Sequence, residues 1–354
     1  MKNKRPTSNL AGILPVLKQR GPTSHDIVDI ARKALGERQI GHTGTLDPAA
    51  EGLLVLCIGP YTKLVPYLVE SDKTYEGWFG LGIETTTDDG EGEPLMISDA
   101  RDATLERVRA AAVRFVGDID QIPPRYAAIK VAGKKLYEYA RKGEEVVIEP
   151  RAVTIHQFDI LEMRPMEAPA PLLHRAPEGQ LAGDAERHVD HFIQVRFIAR
   201  VSSGTYVRSL ARDLGRALGC GGFLLSLKRT HVGQFSSDKA IPAEELAASP
   251  ERVHEFMIRG AGAIDTQRFP VFTLLRAYMS RLFNGQPLNE KMMESPEIAA
   301  AVPSGILCGI AGDDGSLLAM VESQRFDTMR QANPYDSRFD VHFRAVRIFP
   351  RGLK

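Results

Sequence analysis

The eight residues from Gly41 to Pro48, together with the apolar run that follows them, constrain the fold of this chain most strongly. They read Gly-His-Thr-Gly-Thr-Leu-Asp-Pro, and the run Leu53–Ile58 predicts a buried strand. Two glycines permit a tight loop, and a residue before proline is kept out of the helical region. Asp47 is therefore expected to be extended, with its carboxylate clear of the turn. The alternative is a helix start, with Asp47 as the N-cap and Pro48 at the first helical position.

The composition is typical of a folded protein and excludes a disordered chain. Of the 354 residues, 43% are hydrophobic and 25% are charged, and this length suggests about two domains. No apolar stretch reaches the roughly 18 residues of a membrane-spanning helix. The basic start Met1–Arg5 is not followed by an apolar signal core, so we expect a cytoplasmic protein without membrane association. Cys57, Cys220 and Cys308 lack metal-ligand spacing and are expected to be reduced thiols.

The formal net charge is zero, but the charges are unevenly distributed. Residues 121–143 hold six Lys or Arg against Glu138, a net charge of +5, and residues 196–231 hold seven against Asp213, a net charge of +6. Either stretch alone could be a solvated face. Two of them in a neutral chain favour a binding face for a polyanion such as RNA.

Hydrophobic periodicity predicts an α+β protein. We expect helices over residues 23–35, 102–116, 207–218 and 271–284, and a short helix within 134–141. We expect strands at 53–58, 73–82, 151–161, 191–201, 305–310, 316–322 and 342–349, with Asp313–Gly315 marking a hairpin. The aperiodic segment 164–188 is predicted to be a surface loop insertion. A weakened pattern at 251–264 predicts a boundary between a large domain, residues 1–255, and a small, mostly β domain, residues 265–354.

Several further motifs follow the central loop in order: Lys73-Thr74-Tyr75, the turn Thr85–Asp89, Lys134–Ala140, Gly204–Arg208 and Leu227-Lys228-Arg229. With Gly41–Pro48, they resemble the TruB family of tRNA pseudouridine synthases over about residues 10–235. The resemblance implies the pseudouridine synthase fold, a mixed, largely antiparallel sheet flanked by helices with a cleft at its middle. The small β domain would take the place of the family's PUA-type RNA-binding domain. Residues 120–150 would correspond to the insertion that closes over RNA.

The resemblance also implies a reaction. The family converts uridine 55 in the T loop of tRNA to pseudouridine, an isomerisation that uses no metal or organic cofactor. Asp47 would be the essential carboxylate, which either attacks the ribose or removes a ribose proton as the glycosidic bond breaks. The expected partner is the T-arm stem-loop of tRNA, with no obligatory protein partner.

Roles for the residues around Asp47 follow from the same resemblance. Tyr75 would stack on the flipped uracil, although it could equally pack in the core. His42 would fill space among the displaced loop bases, or else stabilise its own turn. Leu227 would give the base pocket an apolar wall, although it too could be core.

An arginine is expected beside Asp47, because burial under RNA disfavours an ionised carboxylate and a nearby cation restores it. Arg208 is the candidate by resemblance, oriented by Tyr206 and Asp89, with Asp88 leaving a one-residue ambiguity. The alternative is that Arg208 is one of three phosphate-facing arginines on its helix. Expected phosphate contacts are Lys63, Lys130, Lys134, Arg141 and Arg212. Where the family has Asp-Lys-Pro after the first strand, this chain has Leu17-Lys18-Gln19, which puts that contact in doubt.

Three other functions are alternatives to this one. A guide-RNA-dependent relative acting on ribosomal RNA shares the central motifs but works with partner proteins. A non-catalytic RNA-binding protein would not need Asp47, Tyr75 and Arg208 together. An aspartate-nucleophile hydrolase would need a second acid or base at a defined spacing, which the sequence lacks.

Overall fold

The computed structural model describes residues 10–127, 129–131, 134–136, 139, 144, 146–167, 192–325 and 341–353. Its strands, in chain order, are β1 (Gly12–Lys18), β2 (Ile40–His42), β3 (Glu51–Ile58), β4 (Lys73–Leu81), β5 (Ile83–Thr85), β6 (Pro94–Ile97), β7 (Gly117–Gln121), β8 (Lys130–Val131), β9 (Lys134–Lys135), β10 (Arg151–Met166), β11 (Phe192–Val201), β12 (Gly222–Val232), β13 (Phe235–Ser236), β14 (Ile241–Pro242), β15 (Val271–Thr273), β16 (Leu288–Asn289), β17 (Leu307–Ala311), β18 (Leu317–Arg325) and β19 (Val341–Leu353). Its α-helices are α1 (Ser24–Leu35), α2 (Val65–Val69), α3 (Leu105–Val113), α4 (Val207–Leu218), α5 (Ala243–Ala248), α6 (Val253–Phe256), α7 (Met279–Phe283) and α8 (Pro296–Ala300).

A large mixed sheet organises the first two thirds of the chain. Its strands run in the order β14-β1-β3-β12-β4-β11-β10-β7, with β2 on β3 and β13 on β12. All neighbouring pairs in it are antiparallel except β1 with β14 and β3 with β12. Strand β3 is buried along almost its whole length, as its continuous apolar run predicts. The predicted mixed, largely antiparallel sheet is confirmed.

Helices cover one face of this sheet, and local sequence determines where they begin and end. Helix α1 begins with a capping box, in which Thr23 and Asp26 satisfy each other's backbone N–H groups, and it ends at Gly36 in the left-handed region. Helices α3 and α4 pack on Phe79 and Leu81 of β4. Helices α1 and α5 pack on alternate residues of β3.

The second sheet comprises β15-β17-β18-β19-β16 and lies in residues 271–353. It packs against the large sheet through a shared apolar cluster in which Leu53, Val55 and Cys57 of β3 meet Phe269 and Phe349. The turn at residues 313–315 joins β17 to β18, with Gly315 at a φ of 75°. The assignment of this region to a PUA-type domain stays a prediction. Among the described residues, no helix combines the length and apolar character needed to cross a bilayer.

Three element predictions are wrong in part. The helix expected over 102–116 begins only at Leu105, because Thr104 caps it through the Arg107 N–H. The helix expected over 271–284 is replaced at its start by β15, which pairs with β17, and its α-helical part is Met279–Phe283, preceded by the 3-10 turn Arg276–Tyr278. The loop expected from residue 164 begins later, since β10 continues to Met166 opposite Phe192.

Two predicted segments lie largely outside the described residues. Most of the insertion at 164–188 is one of them, beginning at residue 168. The short helix expected at 134–141 is the other. Of that segment the structure describes Lys134–Lys135, which pairs with Lys130–Val131 in a two-stranded ribbon, together with Leu136 and Tyr139.

Candidate active site

Asp47 lies in the loop between β2 and β3, and no helix follows it. The Ala50 N–H donates to the Asp47 carbonyl at 3.0 Å, which closes a turn, and β3 begins at Glu51. The helix-start alternative is therefore wrong. The preceding residue is fixed from helix α1, because the Ser24 hydroxyl accepts from the Leu46 N–H at 2.8 Å and donates to its carbonyl at 3.1 Å.

Lys18 supports the loop from below. Its ammonium group is buried and donates to the Ala50 carbonyl at 2.6 Å and to the Pro48 carbonyl at 3.2 Å. Burial lowers the pKa of Lys18, while the charge of Asp47 acts to raise it. Lys18, in the segment Leu17-Lys18-Gln19 that departs from the family pattern, thus contacts main-chain oxygens of the loop.

Arg229 supports the other arm of the loop and was not predicted as a site residue. It is only 1% exposed, and its guanidinium donates to the carbonyls of Leu53 at 2.8 Å, Gly44 at 3.0 Å and Thr45 at 3.3 Å. Its backbone also crosses close to β3, since a Cβ on Gly52 would lie 2.3 Å from the Arg229 carbonyl oxygen. Its place in the Leu227-Lys228-Arg229 motif is the signal in the sequence that could have identified it.

Arg208 contacts both Asp47 and the turn Thr85–Asp89. Its Nε lies 3.1 Å from Asp47 Oδ2, and its Nη1 lies 3.3 Å from Asp89 Oδ2 and donates to the Thr87 carbonyl at 3.2 Å. The Arg208 side chain is 10% exposed, whereas that of Asp47 is 47% exposed. The guanidinium is therefore buried and fixed, while the carboxylate it holds can be reached from solvent. Asp89, not Asp88, is the turn carboxylate on Arg208.

Two further arginines of α4 contact the turn Thr85–Asp89 or the strand β5 that precedes it. Arg212 donates to Asp88 at 2.8 Å, to Asp213 at 2.8 Å and to the Ile122 carbonyl at 2.8 Å, and it is 8% exposed. Arg216 makes two bonds of 2.9 Å to Glu84. Arg212 is thus engaged by three internal partners, and its contact with phosphate stays a prediction.

Asp88 occupies an unusual position in that turn. Its φ is 61°, in the left-handed region, and its side chain is 10% exposed beside Arg212. Burial raises the pKa of Asp88 to about 6, against the opposing charges of Arg212 and Arg208.

A cleft opens beside Asp47 because β3 and β12 diverge. The two strands pair only at residues 51–52 and 228–229. The cleft measures about 280 Å³, near the lower end of the range of about 300–1,000 Å³ seen for small-molecule sites. Its lining combines the charged side chains of Arg20, Asp47, Asp89, Glu91 and Arg208 with the apolar ones of Ala49, Ala50, Phe223, Leu224, Leu225 and Leu227. Leu227 forms part of the wall, where the sequence placed it.

The lining of this cleft does not include three of the predicted residues, Tyr75, His42 and Tyr206. Tyr75 is 8% exposed and packs in the core cluster with Leu46 and Val207. The Gly44 N–H donates to His42 Nδ1 at 3.3 Å, as expected of a turn-stabilising histidine, and burial lowers the pKa of His42. Tyr206 is the N-cap residue of α4, and its backbone exchanges two hydrogen bonds with the Gln121 side chain. Within the described residues, no hydrogen bond joins Tyr206 to Arg208.

The expected phosphate contacts are only partly visible. Lys63 is exposed on the 3-10 turn Gly59–Leu64. The structure describes only the backbone of Lys130 and Lys134, and Arg141 lies outside the described residues.

Two family models match this chain. Residues 32–175 match the TruB family pseudouridylate synthase N-terminal domain, and residues 208–259 match the tRNA pseudouridylate synthase B C-terminal domain. The tRNA pseudouridine synthase B of Cupriavidus metallidurans is 37% identical over 317 residues, which cover 89% of this chain and 91% of that protein. The protein of the same name from Thermobifida fusca is 36% identical over 313 residues, 88% of this chain and 94% of its own length.

Solved structures share the fold at lower identity. A chain of a Cbf5-Nop10-Gar1 complex aligns with a TM-score of 0.66 at 21% identity, covering 96% of this chain and 85% of that one. A chain of an H/ACA RNP bound to a substrate RNA containing 2'-deoxyuridine aligns with a TM-score of 0.65 at 20% identity, covering 96% and 84%.

Proposed function

The chain belongs to the TruB family of pseudouridylate synthases, and on that basis we propose that it isomerises uridine 55 in the T loop of tRNA to pseudouridine. The reaction breaks the bond between N1 of uracil and C1′ of ribose and joins C1′ to C5. The C5 proton is lost and N1 gains one, so the overall change is an isomerisation. In this proposal Asp47 is the carboxylate on which glycosidic cleavage depends.

The observation that carries the proposal is the Asp47–Arg208 pair at the cleft. A fixed guanidinium 3.1 Å from the carboxylate makes a charged contact with it and limits its orientations. Asp89, on the far side of that guanidinium, holds it in place. The loop that carries Asp47 is itself anchored through main-chain oxygens by Lys18 and Arg229. Such preorganisation is what a reaction at one ribose carbon requires.

The cleft is suited to a single extruded base. Unstacking a loop uridine costs a few kcal/mol, which contacts with the protein must offset. Leu227, Leu224 and Phe223 supply apolar surface beside Asp47. Tyr75 belongs to the same buried apolar cluster as Leu46 of the loop, and in this proposal its ring stacks on the uracil. Lys63 is exposed and available to phosphate.

The test is pseudouridine formation by the purified chain alone on a T-arm stem-loop RNA, mapped at single-nucleotide resolution. Wild type should modify the uridine at position 55, and Asp47→Asn should reduce product to background while RNA affinity stays within a few-fold. Asp238→Asn, an exposed carboxylate elsewhere, is the matched control and should turn over normally.

Each alternative predicts a different outcome of this assay. Turnover that depends on added guide RNA or partner proteins would indicate a guided enzyme. Tight RNA binding without product would indicate a non-catalytic protein. Near-normal turnover by Asp47→Asn would refute the role of Asp47.

A further inference from the structure

A second pocket adjoins the cleft, and we propose that it binds an unpaired nucleotide of the RNA loop next to the target uridine. This inference rests on the proposed function. The pocket measures about 300 Å³. Its lining shares Arg20, Ala49, Ser226 and Leu227 with the cleft, so the two spaces are contiguous along β12. A nucleotide chain with one base in the cleft would therefore reach this pocket with its next residue.

Strand register explains why the remaining lining side chains converge there. Across β3, β12 and β4, Glu51, Lys228 and Glu76 are direct neighbours in one row. Ser226 and Arg196 flank Trp78 in the next row. Residues paired across neighbouring strands project from the same face, so each row presents its side chains together.

Trp78 provides a stacking surface for a base. Its indole is half-buried and lines the pocket, and the Arg164 guanidinium lies 5.2 Å from the ring centroid. Proteins recognise unpaired RNA bases mainly by stacking on aromatic rings and guanidinium planes. Arg20 and Arg196 add positive charge for the phosphate of the same nucleotide.

The carboxylates limit which base would be accepted. Glu51 is exposed at the pocket, and Glu76 lies 3.3 Å from Lys228 while remaining one-third exposed. An ionised carboxylate only accepts hydrogen bonds. Cytosine, adenine and guanine each offer an exocyclic amino group to such an acceptor, whereas the one N–H that uracil offers is at N3. The pocket should therefore prefer an amino-bearing base.

Trp78 is the only tryptophan of the chain, so its fluorescence reports on this pocket directly. The first experiment titrates the full-length Asp47→Asn variant, which should not turn over, with T-arm stem-loop RNA, and corrects for absorbance with free tryptophan. RNA should change the emission of Trp78. Abasic substitutions are then scanned through the loop, and one at a nucleotide adjacent to the target should remove most of that change while the RNA still binds. Emission that is unaltered at saturating RNA would overturn the proposal.

Steady-state kinetics give the second readout. Trp78→Ala should lower kcat/KM roughly 5- to 150-fold, mainly through KM, as expected for the loss of one base stack. Trp78→Phe keeps an aromatic ring and should retain most of the wild-type kcat/KM. Unfolding midpoints show whether each variant is folded, and Arg114→Ala, exposed at the end of α3, is the control for surface truncation. Trp78→Ala with wild-type KM would overturn the proposal.

Base replacement tests the selectivity. Exchanging the adjacent base for uracil should weaken binding of the RNA to the wild-type protein. The double variant Glu51→Gln with Glu76→Gln should show a smaller preference for an amino-bearing base over uracil. An unaltered preference would show that the carboxylates do not read the base. Normal pseudouridine formation with a silent Trp78 would reject the second pocket alone. A responsive Trp78 without any product from wild type would reject the proposed chemistry alone.

Discussion

Two groups of buried cations hold Asp47 in place, and they are neutralised in different ways. Arg208 and Arg212 on α4 face the carboxylates of the turn Thr85–Asp89. Lys18 and Arg229, which hold the loop itself, donate to main-chain carbonyls. The first group is an array of ion pairs. In the second group, the positive charge is met by backbone dipoles.

The difference shows how position and charge are divided around the site. Main-chain carbonyls cannot titrate, so the acceptors that anchor the loop carrying Asp47 are the same whatever the protonation of nearby acids. The turn, in contrast, holds carboxylates whose charge depends on pH and on their arginines. We therefore expect the α4 group to respond strongly to single charge changes, and the loop group to respond to the loss of hydrogen-bond geometry.

The largest effect should come from Arg212→Met. Methionine keeps much of the apolar contact of the side chain but leaves Asp88 buried without its guanidinium. Removing one partner of a buried ion pair costs about 3–5 kcal/mol. Urea unfolding followed by circular dichroism should show a fall of that size in the free energy of unfolding at pH 7.

Arg216→Ala, one helical turn later, is the matched control. Its side chain is 57% exposed where it meets Glu84, and an exposed pair contributes at most about 1 kcal/mol. Equal losses for the two variants would mean that burial does not distinguish these pairs.

Arg229→Met tests the loop group and should have the second largest effect. Three carbonyl groups lose a charged donor, and buried hydrogen bonds to charged groups contribute about 1.5–3 kcal/mol each before compensation by water. We expect a loss of about 2–4 kcal/mol in unfolding free energy and a further loss of turnover, because the loop carrying Asp47 is released. Lys239→Met, an exposed cation, should change stability by less than about 0.5 kcal/mol. Full turnover by Arg229→Met would show that Lys18 and Ser24 suffice to position the loop.

Local pattern was enough to predict the elements whose ends are encoded nearby. Thr23 with Asp26 marked the start of α1, and the continuous apolar run marked β3. The resemblance placed Asp47 and Arg208 in one site, and the two lie 3.1 Å apart. These successes share a cause, since each depends on a few neighbouring residues or on a motif read as a unit.

The features that the sequence did not predict depend on pairing between residues far apart in the chain. Strand β12 begins at Gly222 and carries Lys228 and Arg229 near its end, and only its ladder with β4 makes it a central strand. Arg212 and Arg229 looked like surface charges, because the carboxylate and carbonyls that bury them lie 124 and 176 or more residues away in the chain. The Val271–Thr273 segment fitted a helical spacing, but pairing with β17 makes it a strand.

The smallest of the three effects concerns the protonation of Asp88. Its pKa is raised from the ordinary 3.8 to about 6, so between these values the folded protein binds more protons at this site than the unfolded chain does. Stability from this group therefore falls as the pH rises from about 4 to about 6. Asp88→Asn removes the titration and preserves the geometry, because asparagine tolerates a φ of 61° as well as aspartate does.

The informative quantity is the unfolding free energy of wild type minus that of Asp88→Asn, measured at each pH. Other carboxylates titrate in both proteins and cancel in this difference. The difference should fall by about 2–3 kcal/mol between pH 4 and pH 7, at roughly 1.4 kcal/mol per pKa unit. A difference that rises with pH would mean that Arg212 outweighs burial and holds the pKa of Asp88 below its ordinary value. In that case the α4 group would resemble the loop group, with a charge that persists throughout the acid range.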